Sequence, residues 1–352
     1  MPGNKYSEMQ HHRDTMFAIA IAIFIIAFIV SLDTGPVHIS LKNIVNIILF
    51  QIGAGKLTAT QGNYVIIAMI REPEVVASAA VGAALGVGGA VIQSIFRNPI
   101  SEPYVTGVSS GAALGAVLAI VFSITIFGLF TLPIFAFVFA IIVVSLVYML
   151  SIRSGRTPPV ILLLTGIAIS LFATSLVAIM LYSRPALENT IFFWFLGSLS
   201  GILWSEDEIV VPLVIVTSVI LGMMYKQLNA LQMGDVYAKS AGINVERSKL
   251  GALGLTTIAV SASVSISGLI GFVGLIFPHV SRLIFGGSNK YVIPASAILG
   301  ATFLMLCNDI AHLIITGIVF PVGVITGMIG VPFFMILMAR ILILAWEGIR
   351  YE

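Results

Sequence analysis

Few residues in this chain are placed to do chemistry, and they do not form a catalytic set. Lys56, in Gly53-Ala-Gly-Lys56, follows two glycines, but Phe50 stands where a phosphate-binding loop needs its first glycine and Leu57 where it needs Ser or Thr. ATP cannot be held that way. Neither an H-E-x-x-H zinc motif nor paired Asp-rich boxes occur, and the apolar runs carry no Asp/Glu/His series that could relay protons. His279 and His312 each lack a second ligand at helical spacing, so both read as hydrogen-bonded polar residues and no metal site is expected. The single cysteine, Cys307, excludes an intramolecular disulfide and a thiolate cluster. The chain is therefore read as a non-enzyme that binds no cofactor, and any energy input must come from outside it.

Two polar segments interrupt the apolar runs, and the longer could serve such an input. The longer is the charged island between Lys226 and Lys249, LNALQMGDVYAKSAGINVERSK. Gly234 breaks the chain, Asp235 is the expected N-cap, Val236 to Ala241 can form a turn or two of helix, and Gly242 supplies a left-handed stop. Asn244 then caps the next helix. So short a helix is unstable alone in water because its nucleation is costly. It must pack on something, and Val236, Tyr237 and Ala241 offer it an apolar face. The shorter segment is Arg97-Asn-Pro-Ile-Ser-Glu-Pro103, followed by Gly107-Val-Ser-Ser-Gly111. Its prolines forbid a continuous helix, and Ser109 and Ser110 either serve packing or line a polar pathway.

The elements that must hold these segments are membrane helices. Hydrophobic residues make up 59% of the 352-residue chain and charged residues 9%, with a mean hydropathy of +1.11. That composition describes a multi-pass membrane protein. The first apolar run, Thr15 to Leu32, has no cleavage pattern after it and reads as a retained span. Pro103 to Ile152 holds two helices with a turn near Gly128 to Pro133, whereas Leu250 to Ser281 holds a full span, a glycine-lined turn over Ser267 to Gly274 and a short span. Asn189 to Ser205 reads as an interfacial helix, with Glu206, Asp207 and Glu208 in external water. The count is then ten spans with both termini cytoplasmic: thirteen Lys/Arg lie inside, and only Lys42, Lys56, Arg71 and Arg184 lie outside. The pairs Gly82/Gly86, Gly111/Gly115 and Gly323/Gly327 allow close helix approach.

Five segments together resemble a known family: Arg97 to Ala116, Leu228 to Arg247, Gly268 to Gly286, Val292 to Ala301 and Pro321 to Phe334. They are similar, in order, to the signature segments of the FecCD/BtuC family, the membrane permeases of type II ABC importers for iron-siderophores, haem, vitamin B12 and some metal oxyanions. The resemblance covers nearly everything from Arg71 onward.

It implies an all-α fold of ten transmembrane helices in a single permease domain over residues 1–352, with residues 226–246 as its cytoplasmic coupling segment. It also implies a homodimer in the lipid of a prokaryotic plasma membrane, two ABC ATPase subunits that use ATP and Mg, an extracytoplasmic substrate-binding protein, and no role for nucleic acid. Met233, Gly234, Asp235, Val236, Ala238, Ala241 and Gly242 match the ATPase-coupling positions, and the helix with Trp194 and Gly197 matches one beside the outer mouth. Ser109, Ser110 and Thr165 are the expected pathway residues, the pathway being formed by the third, fifth, eighth and tenth spans. Where the family often shows Arg-x-Pro-Arg, this chain has Arg71-Glu72-Pro73-Glu74, and His312 stands where an arginine is usual. Arg71, Glu74 and His312 are thus expected to meet the binding protein, with Glu72, Glu74 and Asp309 as an acidic outer surface and charge pairing shifted from the usual pattern. The implied substrate is an iron-siderophore, haem or cobalamin-type chelate, with molybdate or tungstate as the alternative; an ion-gradient-driven secondary transporter is the rival from a different class.

Overall fold

The structure is a computed structural model that describes the backbone of residues 2–314 and 319–349. Its described residues form fifteen α-helices and no strand. The long ones are α1 (Pro2–Asp33), α4 (Glu72–Phe96), α6 (Thr131–Ser151), α7 (Pro159–Ser183), α9 (Trp204–Met223), α12 (Val245–Ser267), α14 (Asn289–Leu313) and α15 (Val322–Ile349). Between them lie the shorter α2 (Leu41–Gln51), α3 (Gln61–Val65), α5 (Val108–Val121), α8 (Glu188–Leu196), α10 (Tyr225–Met233), α11 (Asp235–Ser240) and α13 (Val273–Phe285). A π-helical turn, Ile66–Arg71, carries α3 directly into α4.

Among the described residues six stretches are long and apolar enough to cross a membrane alone, and α9 with α10, bent by 59°, makes a seventh if the pair is one span. The ten crossings counted from sequence also include α5, α13 and α15, whose described apolar stretches fall short of that standard. At 1.5 Å per residue α5 and α13 reach only about 20 Å, less than a hydrocarbon core of about 30 Å. A 3-10 turn (Pro103–Thr106) and Gly107 precede α5 and non-helical backbone precedes α13; such irregular backbone is tolerated among apolar helices only where protein satisfies it. A side chain of the first segment satisfies backbone of the second: the Tyr104 hydroxyl donates to the Ile270 carbonyl at 2.9 Å and accepts from the Ile270 N–H at 3.1 Å.

The core is built around α4, which is buried on nearly every side. Small residues make this possible. A Cβ on Gly82 would lie 2.3 Å from the Gly300 carbonyl oxygen, and one on Gly86 would lie 2.2 Å from that of Ser296, so α4 and α14 touch backbone to backbone. Gly111 and Gly115 bring α5 equally close to α6. Gly323 packs against the Leu196 carbonyl, whereas Gly327 meets nothing. The apolar clusters then fill in: Val81, Leu85, Val264, Val273 and Leu304 in one, and Val91, Ile95, Leu228, Leu231 and Leu253 in another, nearer α10 and α11.

The expected break after α12 is present, with a non-helical stretch at residues 268–272 before α13. The Asn189 to Ser205 segment is not one helix as expected: α8, at nine residues too short to span, ends at Leu196 because Gly197 turns the chain at φ +69°, and its Trp194 carbonyl abuts Gly268. Trp204 opens α9, and its indole N–H donates to the Ala68 carbonyl at 2.6 Å.

Candidate coupling surface and transport cavity

At one end of the bundle α10 and α11 form a short arm. Gly234 turns between them with φ +118°, a conformation that side chains rarely adopt, and is itself the N-cap of α11. Asp235 is thus the first helical residue and not the cap; its carboxylate turns away from the helix N–H groups to an ammonium, Lys249 Nζ, at 2.7 Å. The end of α11 matches the sequence expectation: Gly242 is left-handed at φ +80°, its N–H donates to Lys239 O, and the Ile243 N–H donates to Ala238 O. Asn244 caps α12 by accepting the Arg247 N–H at 3.1 Å.

The arm is bound to the bundle by polar contacts that no local pattern announces. Asn229 of α10 accepts the Asn289 N–H at 2.8 Å and donates to the Ser288 hydroxyl at 3.1 Å, fixing α10 to the start of α14. Lys249 is 1% exposed and also donates to the Thr157 carbonyl at 3.0 Å. The Arg97 guanidinium, at the left-handed C-cap of α4, lies 3.6 Å from the other Asp235 oxygen.

The seven residues assigned to ATPase coupling divide into two groups. Met233, Val236, Ala241 and Gly242 are exposed, and with Tyr237 they give the arm an apolar outer face; Val236 is 84% exposed. Gly234 and Ala238 are buried, and Asp235 is partly so. These inner residues hold the arm in place.

At the opposite end Arg71, Glu74 and His312 come together; Arg71 and Glu74 are buried and His312 is partly exposed. Arg71 donates to the carbonyls of Leu32 and Asp33, both at 2.9 Å, and to that of Val37. Glu74 accepts from the Gly201 N–H at 2.8 Å, and its second oxygen lies 3.3 Å from His312 Nε2. Glu72 is bonded to Gln51 and Asp309 to the Ser31 hydroxyl. The acidic outer surface expected here is therefore not a surface: a charged group among apolar helices gains more from an internal partner than from facing lipid. Asp207 also turns inward, at 2% exposure, while Glu206 and Glu208 do not, because successive helical residues point about 100° apart and three of them cannot share one face.

Ser109 and Ser110 line a cavity of about 400 Å³ between α5 and α7, together with Ser170, Thr174, Phe195 and Leu269. The Ser110 hydroxyl bonds the Gly107 carbonyl at 3.0 Å and the Ser170 hydroxyl at 3.1 Å, so it serves packing and wall at once. Thr165, a turn and more away on α7, does not line this cavity. Ser170 and Thr174 do, a turn apart on the same helix.

Comparison with known proteins decides what this arrangement belongs to. The model of the FecCD transport family matches residues 23–340. The chain belongs to the FecCD family. A cobalamin import system permease of Halobacterium salinarum is 38% identical over 275 residues, covering 78% of this chain and 73% of that protein. A molybdate import system permease of Haemophilus influenzae is 30% identical, covering 91% of this chain and 94% of its own. A solved metal-chelate type ABC transporter in an inward-facing conformation superposes with a TM-score of 0.81 at 28% identity, over 93% of this chain and 99% of that one. FecCD-family chains are membrane permease subunits of ABC importers, and ATP hydrolysis resides in a separate subunit.

Proposed function

We propose that this permease imports a bulky metal chelate of the siderophore, haem or cobalamin type. On this reading two copies of the chain, two cytoplasmic ATPases and an extracytoplasmic binding protein form the transporter. The observation that carries the coupling part is the arm: Met233, Val236 and Tyr237 expose apolar surface on two short helices fastened from behind. Such a surface costs free energy in water and gains it back against a protein cleft. The charge bias puts this end in the cytoplasm, where an ATPase docks. No step of the chemistry is covalent. ATP and the loaded binding protein each favour one packing of the helices, and transport results from alternating between them.

Support for the substrate class comes from the cavity wall. Ser109, Ser110, Ser170 and Thr174 present hydroxyls among apolar side chains, with no charged residue in the lining. A large chelate whose metal charge is balanced by its own donors passes such a wall without stripping a buried ion of its partner. The similarity to a molybdate permease keeps a compact oxyanion as the second reading. Titrating the partner binding protein with a ferric siderophore, haemin, cobalamin and molybdate separates them. Binding of a chelate, together with faster ATP turnover when the loaded protein meets the reconstituted transporter, supports the first reading; response to molybdate alone replaces it with the second.

A further inference from the structure

We propose that Lys249 is the joint through which movement of α11 reaches α7, the wall of the cavity. This rests on the transport reading above and names the positioning residue within it. Lys249 sits in the first turns of α12, and every acceptor around its ammonium can be named: Asp235 Oδ2 of α11 at 2.7 Å, the Thr157 carbonyl at 3.0 Å, and Glu246 Oε1 of its own helix at 3.9 Å. The other Glu246 oxygen accepts from both the Thr157 N–H, at 3.0 Å, and the Thr157 hydroxyl. Thr157 is thus gripped at three atoms by one turn of α12, and that same turn is tied to α11.

Two prolines immediately after Thr157 make the grip matter. Pro158 is the N-cap of α7 and Pro159 its first residue, so the link has two fixed φ angles and little slack in which a displacement could be absorbed. Beyond it α7 runs to Ser170 and Thr174 in the cavity wall. A push on α11 can therefore tilt α7 against α5, where Ser170 meets Ser110. Stability alone does not explain a fully buried lysine here, because well-packed apolar groups replace buried ion pairs at little cost. The ion pair adds a fixed register between three elements that are not continuous in sequence.

The test compares Lys249→Met, Asp235→Leu and the double variant in proteoliposomes holding the whole transporter with its binding protein, measuring import, ATP hydrolysis and the thermal midpoint of the purified complex. Each single variant should lower the import obtained per ATP hydrolysed by about tenfold. The double variant removes the buried ammonium and its 2.7 Å carboxylate together, leaving only the exposed Arg97 and the Thr157-bonded Glu246 without an ion partner, so its thermal midpoint should recover toward wild type while its import per ATP stays about tenfold low. If Lys249 is merely structural, the ratio recovers together with the midpoint, and that result overturns the proposal. An unchanged ratio in assembled Lys249→Met overturns it as well. Should single variants fail to assemble, the double variant and Glu246→Gln, which loosens the hold on Thr157, decide the matter by the same ratio. Absence of ATP-dependent import by the wild-type transporter would instead overturn the transport reading itself.

Discussion

At the scale of the residue, several buried charges are paired across elements distant in sequence. Asp235 shows how. Removing its carboxylate leaves the buried Lys249 ammonium with the Thr157 carbonyl and a carboxylate 3.9 Å away. The Asp235→Ala permease should lose about 2 kcal/mol of stability, read as a lower thermal midpoint in detergent. His312→Leu should act similarly at the other end, leaving Glu74 with the Gly201 N–H alone. There the measurable consequence is faster proteolysis in the 197–203 loop, since Glu74 ties that loop to α4. Neither contact is legible in the sequence. A carboxylate near a glycine and before a short helix reads as a cap, and only the fold, by turning the chain back through Gly242 and Asn244, shows that an ammonium fourteen residues on takes its place. Glu74 and Asp207 read as outward for the same reason: local pattern gives a helix its residues, while the facing of each is decided by neighbours distant in sequence.

At the scale of the element, punctuation is legible where backbone geometry forces a residue type. The left-handed stop at Gly242, the Asn244 cap and the break at residues 268–272 occur where glycine and asparagine place them. Gly242→Pro should unravel the end of α11, because proline cannot adopt φ +80° and removes the N–H given to Lys239. Loss of that turn would be read as faster proteolysis at residues 240–243. Small-residue spacing is less decisive. Gly82/Gly86 and Gly323/Gly327 look alike in sequence, yet Gly86 faces the Ser296 carbonyl at 2.2 Å and Gly327 faces nothing. Gly86→Val should therefore abolish recovery of folded permease by size-exclusion chromatography, and Gly327→Ala should leave it within error of wild type. Equal behaviour of the two variants would show that α4 and α14 do not pack as described.

At the scale of the whole molecule, an apolar bundle presents one exposed arm that is fastened to the start of α14 by Asn229 and to α12 by Lys249. Family membership assigns ATP hydrolysis to another subunit, and on the proposed reading this arm carries the energy in. Val236 is 84% exposed and so contributes little to the packing of the fold, and its substitution tests the surface apart from the scaffold. The most direct measurement is import of the binding protein's ligand into proteoliposomes containing the permease and its ATPase, with wild type compared with Val236→Asp. Import by wild type should require internal ATP and be indifferent to an uncoupler, and Val236→Asp, folded to the same extent, should import less by at least about tenfold. Import that persists without the ATPase and collapses with an ion gradient, or that is equal in the variant, would contradict the account.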